Sequence, residues 1–222
     1  MEEDGVIGIL FATEMEARPF LERGMPDGVV VEVAGEMGLE AARIAAEKLL
    51  GQGCTSIINA GVCGALNNRL KRGGVYRVSL ASHEHLKTAV NVGMGFGLKK
   101  LVSVEKPVFQ ADRRRALSRQ ADLVDMEGYA VARVCEENHV PCILLKGVTD
   151  FGDANGKADI QKHIASVSET VAEAIFRCLA SLDGCAESKQ VGLWAKLHSF
   201  TKVEHTVFSL PLLFAGAWLG AG

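Results

Sequence analysis

Short apolar runs rich in β-branched residues recur at 6–11, 29–33, 56–60, 75–80, 101–104 and 142–148, most of them bounded by Gly, Asn or Asp, which predicts a strand at each. Between several of them the apolar positions step by three and four. Leu39, Ala42, Ala46, Leu49 and Leu50 mark one such helix, and Ala130, Val131, Val134 and Cys135 another. The clearest runs through Ile164, Val167, Val171, Ala174, Ile175, Cys178, Leu179 and Leu182 and closes the domain near Asp183. Near-continuous apolar strands alternating with one-sided helices predict an α/β layer structure around a largely parallel sheet, rather than a sandwich or a bundle. No internal repeat is visible.

After Asp183 the pattern changes. Residues 184–192 are small and polar and read as a linker, so the predicted organisation is a domain over 1–183 followed by an apolar tail over 193–222. Within the tail, TVFSLPLLFAGAWLGAG carries no charge; as a helix it would reach about 25 Å, a little short of the roughly 30 Å of bilayer hydrocarbon. The tail therefore predicts membrane association. The body does not, since Glu2, Glu3 and Asp4 follow Met1 where a secretory signal would carry positive charge. With 24 Lys and Arg against 27 Asp and Glu the net charge is −3, which offers no basic field for a polyanion and argues against nucleic-acid binding. The six cysteines form no C-x-x-C pair and have no histidine at zinc-finger spacing, which points to a reducing, cytoplasmic compartment. His83 and His85 flank Glu84 without the i, i+4 spacing of a helical zinc pair, and no metal site is expected. Arg113–Arg115 reads as the solvated face of a short helix, and 93–97 as a glycine-rich loop.

Ligands of open α/β sheets bind beyond the carboxyl ends of strands, so acidic residues just after predicted strands are the first candidates for chemistry. Glu14 and Glu16 follow the first strand, Asp125, Met126 and Glu127 precede the helix GYAVARVCEEN, and Asp150 follows CILLKGV. Each also has a structural reading, because acids near helix N-termini commonly cap them and acids after strands commonly make turns.

Together these segments resemble the purine nucleoside phosphorylase and 5′-methylthioadenosine nucleosidase superfamily, futalosine hydrolases included, over residues 5–182. The carriers are VIGILFATEMEARPF, SIINAGVCGAL with LKRGGVYRV, the block LVDMEGYAVARVCEENHVPCILLKGVTDFGD, and the closing helix. The resemblance implies a three-layer phosphorylase-like fold, a central mixed, largely parallel sheet flanked by helices, acting without a cofactor on a small-molecule nucleoside, usually as a homodimer. It also implies roles. Asp150 would protonate the departing purine-type base, Glu16 would activate water, and Glu127 would accept hydrogen bonds from the ribose hydroxyls. Met126 would lie against the sugar, Phe109 or Phe151 would stack on the base, and Gly61 and Cys63 of the glycine turn would adjoin the substrate. Cleaving a ribosyl C–N bond through a sugar cation needs these three services, an acid, a base and a ribose holder.

The departures refine the expectation. The turn reads Gly61-Val62-Cys63-Gly64 where the family often has a serine, and the stretch from Leu66 to Asp125 is short for a methylthioadenosine nucleosidase. No basic and glycine-rich phosphate clamp follows the first strand, where only Arg18 stands, so water is the expected nucleophile. Alternatives are methylthioadenosine or S-adenosylhomocysteine hydrolysis, phosphorolysis, and catalytically idle nucleoside binding. The tail resembles the opening of UbiA-type membrane prenyltransferases, though no Asp follows Asp183, which excludes prenyl transfer by this chain. Juxtaposed with a nucleosidase, it points to futalosine or aminofutalosine in menaquinone biosynthesis. The carboxylate of such a substrate would need a cation, for which Arg18, Lys87 and Arg113 are candidates.

Overall fold

The computed structural model describes residues 5–93 and 97–183. In chain order the elements are β1 (Val6–Phe11), α1 (Glu14–Leu21), β2 (Val29–Val33), α2 (Leu39–Gly51), β3 (Cys54–Ala65), β4 (Val75–His83), β5 (Ala89–Asn91), β6 (Lys99–Ser103), α3 (Ala111–Leu117), β7 (Leu123–Asp125), α4 (Gly128–Glu137), β8 (Cys142–Asp150) and α5 (Gly156–Asp183). The predicted linker and tail, and residues 94–96 of the glycine-rich loop, lie outside the described residues.

Strands β2, β1, β3 and β8 pair in parallel, the geometry expected of β-α-β crossovers. Beyond β8 the sheet turns back on itself. β8 runs antiparallel to β4, β4 parallel to β6, β6 parallel to β7, and β7 antiparallel to β3, so β3, β8, β4, β6 and β7 close a ring from which β1 and β2 extend. Alternation along the strands sends side chains to two helical layers. Ile9, Phe11, Ile58 and Ile143 pack with Val167, Val171 and Ile175 of α5 and with Phe20 of α1. Leu10 and Ile57 face the other way, onto Ala42, Ala46 and Leu49 of α2 and Val131 and Val134 of α4. The result is the expected three-layer α/β arrangement around a mixed sheet.

Two expectations change. The segment Gly61-Val62-Cys63-Gly64 is not a turn. β3 continues through it to Ala65, and the chain absorbs the irregularity as a register shift against β8 between Cys63 and Gly64. A bulge of this kind re-aims side chains at the end of a sheet, here where β3 meets the end of β8. The Arg113–Arg115 run is likewise not a solvated face. Arg113 holds both oxygens of Glu84 at 2.9 Å and Arg114 donates to backbone carbonyls, which leaves Arg115 outside. The three-residue strands β5 and β7 escape the periodicity argument because three residues show no alternation.

Helix α5 lies close on β8 because Gly147 has no side chain. A Cβ at that position would stand 2.5 Å from Val167 Cγ1 and 2.7 Å from Val171 Cγ2. Gly147→Ala is therefore expected to destabilise the protein by about 1–3 kcal/mol through overpacking. Adding Val167→Ala should return part of that loss, and urea unfolding of the single and double variants measures it. Strictly additive losses would show that the two positions are not in steric conflict.

Candidate active site

The described residues enclose a cavity of about 400 Å³ where β1, β3, β7 and β8 end, covered by the first turns of α5 and the segment before α3. Its walls are mostly apolar, but Glu16, Asp125, Glu127 and Asp150 all reach it. Local sequence explains each placement. Asp150 is the last residue of β8, Glu127 stands at the N-cap of α4, and Glu16 is the third residue of α1, after the cap Thr13.

Glu16 is a capping-box residue and a cavity residue at once. Its Oε2 accepts hydrogen bonds from Thr13 N (3.0 Å) and Thr13 Oγ1 (2.9 Å), while Oε1 accepts one from Val62 N at 2.8 Å. Gly61 makes room for that carboxylate, since a Cβ there would lie 2.6 Å from Oε1. Glu127 Oε1 accepts from Gly38 N (3.0 Å) and Oε2 from Met126 N (3.1 Å). Each carboxylate oxygen keeps acceptor capacity for a ligand.

Asp150 Oδ1 accepts from Gly152 N at 2.7 Å, and Oδ2 lies 3.0 Å from Thr149 Oγ1. Thr149 Oγ1 also lies 3.2 Å from the Cys63 carbonyl. A hydroxyl has one proton and cannot donate to both. Thr149 therefore donates to either the Asp150 carboxylate or the Cys63 carbonyl at any one moment. Burial pushes the Asp150 carboxyl above the usual range, opposed by the Gly152 and Thr149 hydrogen bonds, which favour its charged form.

Among the described residues the buried charged side chains are the carboxylates Glu16, Asp125, Glu127 and Asp150, and the ammonium Lys146. Lys146 Nζ sits 2.8 Å from Asp125 Oδ2 and donates to Asn59 Oδ1 at 2.7 Å. Burial alone would lower its proton affinity, yet Asp125, followed by Glu127 and Glu16, raises Lys146 above the ordinary lysine value and keeps it charged. One cation cannot neutralise all its neighbours. Burial first, then the charge of Asp125, push Glu127 up to about 7, against the lowering by Lys146 and the Gly38 N–H.

The cavity gathers Asp150, Glu16, Glu127, Met126, Phe109 and Cys63. The Cys63 thiol is held neutral by burial. Gly61 lies behind Glu16 rather than in the wall, and Phe151 is not part of the wall either, its ring lying 5.2 Å beneath the Arg72 guanidinium. Of the predicted cations, Arg18 and Lys87 are exposed, Arg113 is engaged by Glu84, and none lines the cavity. Lys157 does line it, on the first turn of α5, and sequence reasoning passed over it because nothing local marks it. Lys146 was legible as the one charge inside the apolar run CILLKGV.

Comparison with known proteins places this geometry. Residues 81–182 match the sequence profile of the Phosphorylase superfamily. The chain is similar to the futalosine hydrolase of Helicobacter pylori, with a TM-score of 0.73 and 19% identity over 79% of this chain and 97% of that one. It is similar to the same extent in fold to the 5′-methylthioadenosine/S-adenosylhomocysteine nucleosidase of Helicobacter pylori bound to butyl-thio-DADMe-Immucillin-A, with a TM-score of 0.73 and 20% identity over 81% and 99% of the two chains. The fold is thus the mixed α/β phosphorylase-like fold. By sequence, 88 residues are 34% identical to the 5′-methylthioadenosine/S-adenosylhomocysteine nucleosidase of Staphylococcus haemolyticus, over 36% of this chain and 38% of that protein. A further 65-residue match, 38% identical, is to an ATP nucleosidase of Escherichia coli, over 29% of this chain and 13% of that protein. The matched segments thus span well under two thirds of these relatives.

The Glu127 carboxyl gives a stability signature. Its folded value of about 7 exceeds the ordinary 4.5, so the native state keeps a proton that the unfolded chain releases. Stability from this group is full below 4.5 and falls as pH rises to about 7, by on the order of 3 kcal/mol at 1.36 kcal/mol per pH unit. Glu127→Gln lacks this dependence. The stability difference between wild type and Glu127→Gln, measured by urea unfolding at pH 5 and pH 8, should move against the wild type as pH rises; a pH-independent difference would remove Glu127 as the titrating group.

Proposed function

We propose that the chain is a nucleosidase that hydrolyses the N-ribosidic bond of a purine-type nucleoside with a modified 5′ group. The observation that carries this reading is the convergence of Asp150, Glu127 and Glu16, from three separate elements, on one largely apolar cavity. Asp150, its carboxyl raised above the usual range by burial, gives a proton to the ring nitrogen of the departing base as the C1′–N bond breaks. Phe109 suits the base, because its ring packs beside Gly156, next to the Asp150 carboxyl. Glu127 accepts hydrogen bonds from the ribose hydroxyls, and Glu16 takes a proton from the water whose oxygen bonds to C1′. Met126 lies along the sugar.

Water rather than phosphate is the nucleophile in this reading. Among the described residues lining the cavity the cation is Lys157, on the α5 wall, which leaves no cluster of basic groups there to hold a phosphate. Lys157 also bears on the 5′ group. The futalosine or aminofutalosine reading requires a cation for a 5′ aromatic carboxylate, and Lys157 takes the part expected of Arg18, Lys87 or Arg113, none of which lines the cavity. Methylthioadenosine is the alternative, favoured by the apolar wall of Ile160 and Ile164.

Chromatography of free bases after incubation with futalosine, aminofutalosine and 5′-methylthioadenosine, with and without phosphate, tests the reading. Base release independent of phosphate is expected, with kcat/KM highest for the two 5′ carboxylates and that preference reduced in Lys157→Met. Asp150→Asn should bind substrate and lose about 10²–10⁴-fold in kcat. Phosphate-dependent release would replace hydrolysis by phosphorolysis, and full activity of Asp150→Asn would remove the acid from its role.

A further inference from the structure

The backbone that carries Asp150 is gripped from both sides by arginines that do not line the cavity. Arg72, from the segment between β3 and β4, donates from Nε to the Thr149 carbonyl at 3.1 Å and from Nη2 to Asp159 Oδ2 of α5 at 2.5 Å, and its guanidinium covers the Phe151 ring. Arg114, on α3, donates from Nε to the Phe151 carbonyl at 2.5 Å and from Nη2 to the Leu66 carbonyl at 3.2 Å and to Asn68 Oδ1. The carbonyls immediately before and after Asp150 are thus each held by a guanidinium. The planar, five-donor fork of Arg lets each side chain tie two or more segments at once in a fixed geometry.

We propose that Arg72 and Arg114 are positioning residues for the acid, acting through the 149–151 backbone to fix the Asp150 carboxyl against the cavity wall and away from solvent. The inference rests on the acid role of Asp150 given above. Neither arginine lines the cavity, so a direct role on substrate is not part of it. What the clamp controls is geometry and hydration. Displacing a catalytic group by about 1 Å can cost on the order of 10²-fold in rate. Loosening the 149–152 segment also admits water, and burial is the main cause that raises the Asp150 carboxyl above its usual range. The charged groups around it are Asp153 and Asp159, which favour the proton, Arg72 and Arg114 on the flanking carbonyls, and Glu16, Asp125, Glu127 and Lys157, which share the cavity. Among the described residues Arg114 has no acidic partner, so its removal frees no carboxylate and acts through geometry and hydration; removing Arg72 also frees Asp159, which works in the opposite sense.

The test uses the full chain with aminofutalosine and 5′-methylthioadenosine, together with ¹³C-carboxyl NMR titration of Asp150, its signal assigned by its absence in Asp150→Asn. Arg72→Met and Arg114→Met should each lower kcat about tenfold or more, with KM changed less than about twofold. In Arg114→Met the Asp150 titration and the high-pH limb of kcat/KM should move together to lower pH, by about half a pH unit or more. Arg114→Lys, which keeps one donor for the Phe151 carbonyl, should recover part of both. An Arg114→Met protein with lower thermal stability but an unmoved Asp150 titration and high-pH limb would overturn the proposal and leave Arg114 a purely structural residue. Full turnover by Asp150→Asn would overturn the acid reading and the clamp with it. Inactive Asp150→Asn beside Arg114→Met with unchanged kcat and titration would overturn the clamp alone.

Discussion

One ammonium group, that of Lys146, stands behind the cavity and ties its wall together. It reaches from β8 to Asp125 on β7 and to Asn59 on β3, and Asn59 in turn donates to the Leu10 carbonyl on β1. Asp125 extends the network, accepting from Ser103 Oγ on β6 and from Gly128 N at the start of α4, while Ser103 Oγ accepts from Tyr129 N. Strands that are distant in sequence are thus bound through one buried ion pair. Such a pair adds little net stability compared with an apolar replacement, but removing one partner strands the other in a dry place. It fixes the arrangement of the ring, and with it the point at which β7 hands over to α4 and sets Glu127 at the cavity.

The same cation governs how protons are shared. Asp125 takes most of its charge, so the neighbouring carboxylates divide what remains. Glu127 is driven towards neutrality by burial and then by Asp125, more than Lys146 can offset, and the upward shift of Asp150 comes first from its own burial. Glu16 sits differently, since backbone and hydroxyl donors from Thr13 and Val62 face both of its oxygens. Three acids of nearly identical chemistry therefore meet one ligand from unlike surroundings, the condition under which one can donate a proton while another accepts one.

Much of this was legible in the sequence. The strand and helix runs were readable because burial of one face writes a period into the chain, and the three carboxylates stood where strands end or helices begin. What escaped was non-local. The closure of the ring depends on the antiparallel pairings of β3 with β7 and β4 with β8, which leave no periodic mark, and β7 is three residues long. The glycine stretch from Gly61 to Gly64 reads as a turn by composition, yet it is a bulged strand whose first glycine makes space for Glu16. Phe151 and Phe109 are equally plausible from sequence as partners of a base; only the fold shows that one ring lies under Arg72 and the other beside the acid. Arg114 reads as part of a solvated face, and Arg72 and Lys157 carry no local mark, because the contacts that define them come from segments far away in the chain.

The central claim is that the Lys146 ammonium is what allows Asp125 and Glu127 to be buried side by side. Stability of Lys146→Met relative to wild type, measured by urea unfolding at pH 5 and at pH 8, tests it directly. Losing the cation raises the proton affinity of its carboxylate neighbours in the folded state, so acid can relieve the damage that neutral and basic solution cannot. The account predicts a loss of about 3–5 kcal/mol at pH 8 and a clearly smaller one at pH 5. Equal losses at the two pH values would mean that Lys146 contributes packing alone, and would contradict the account.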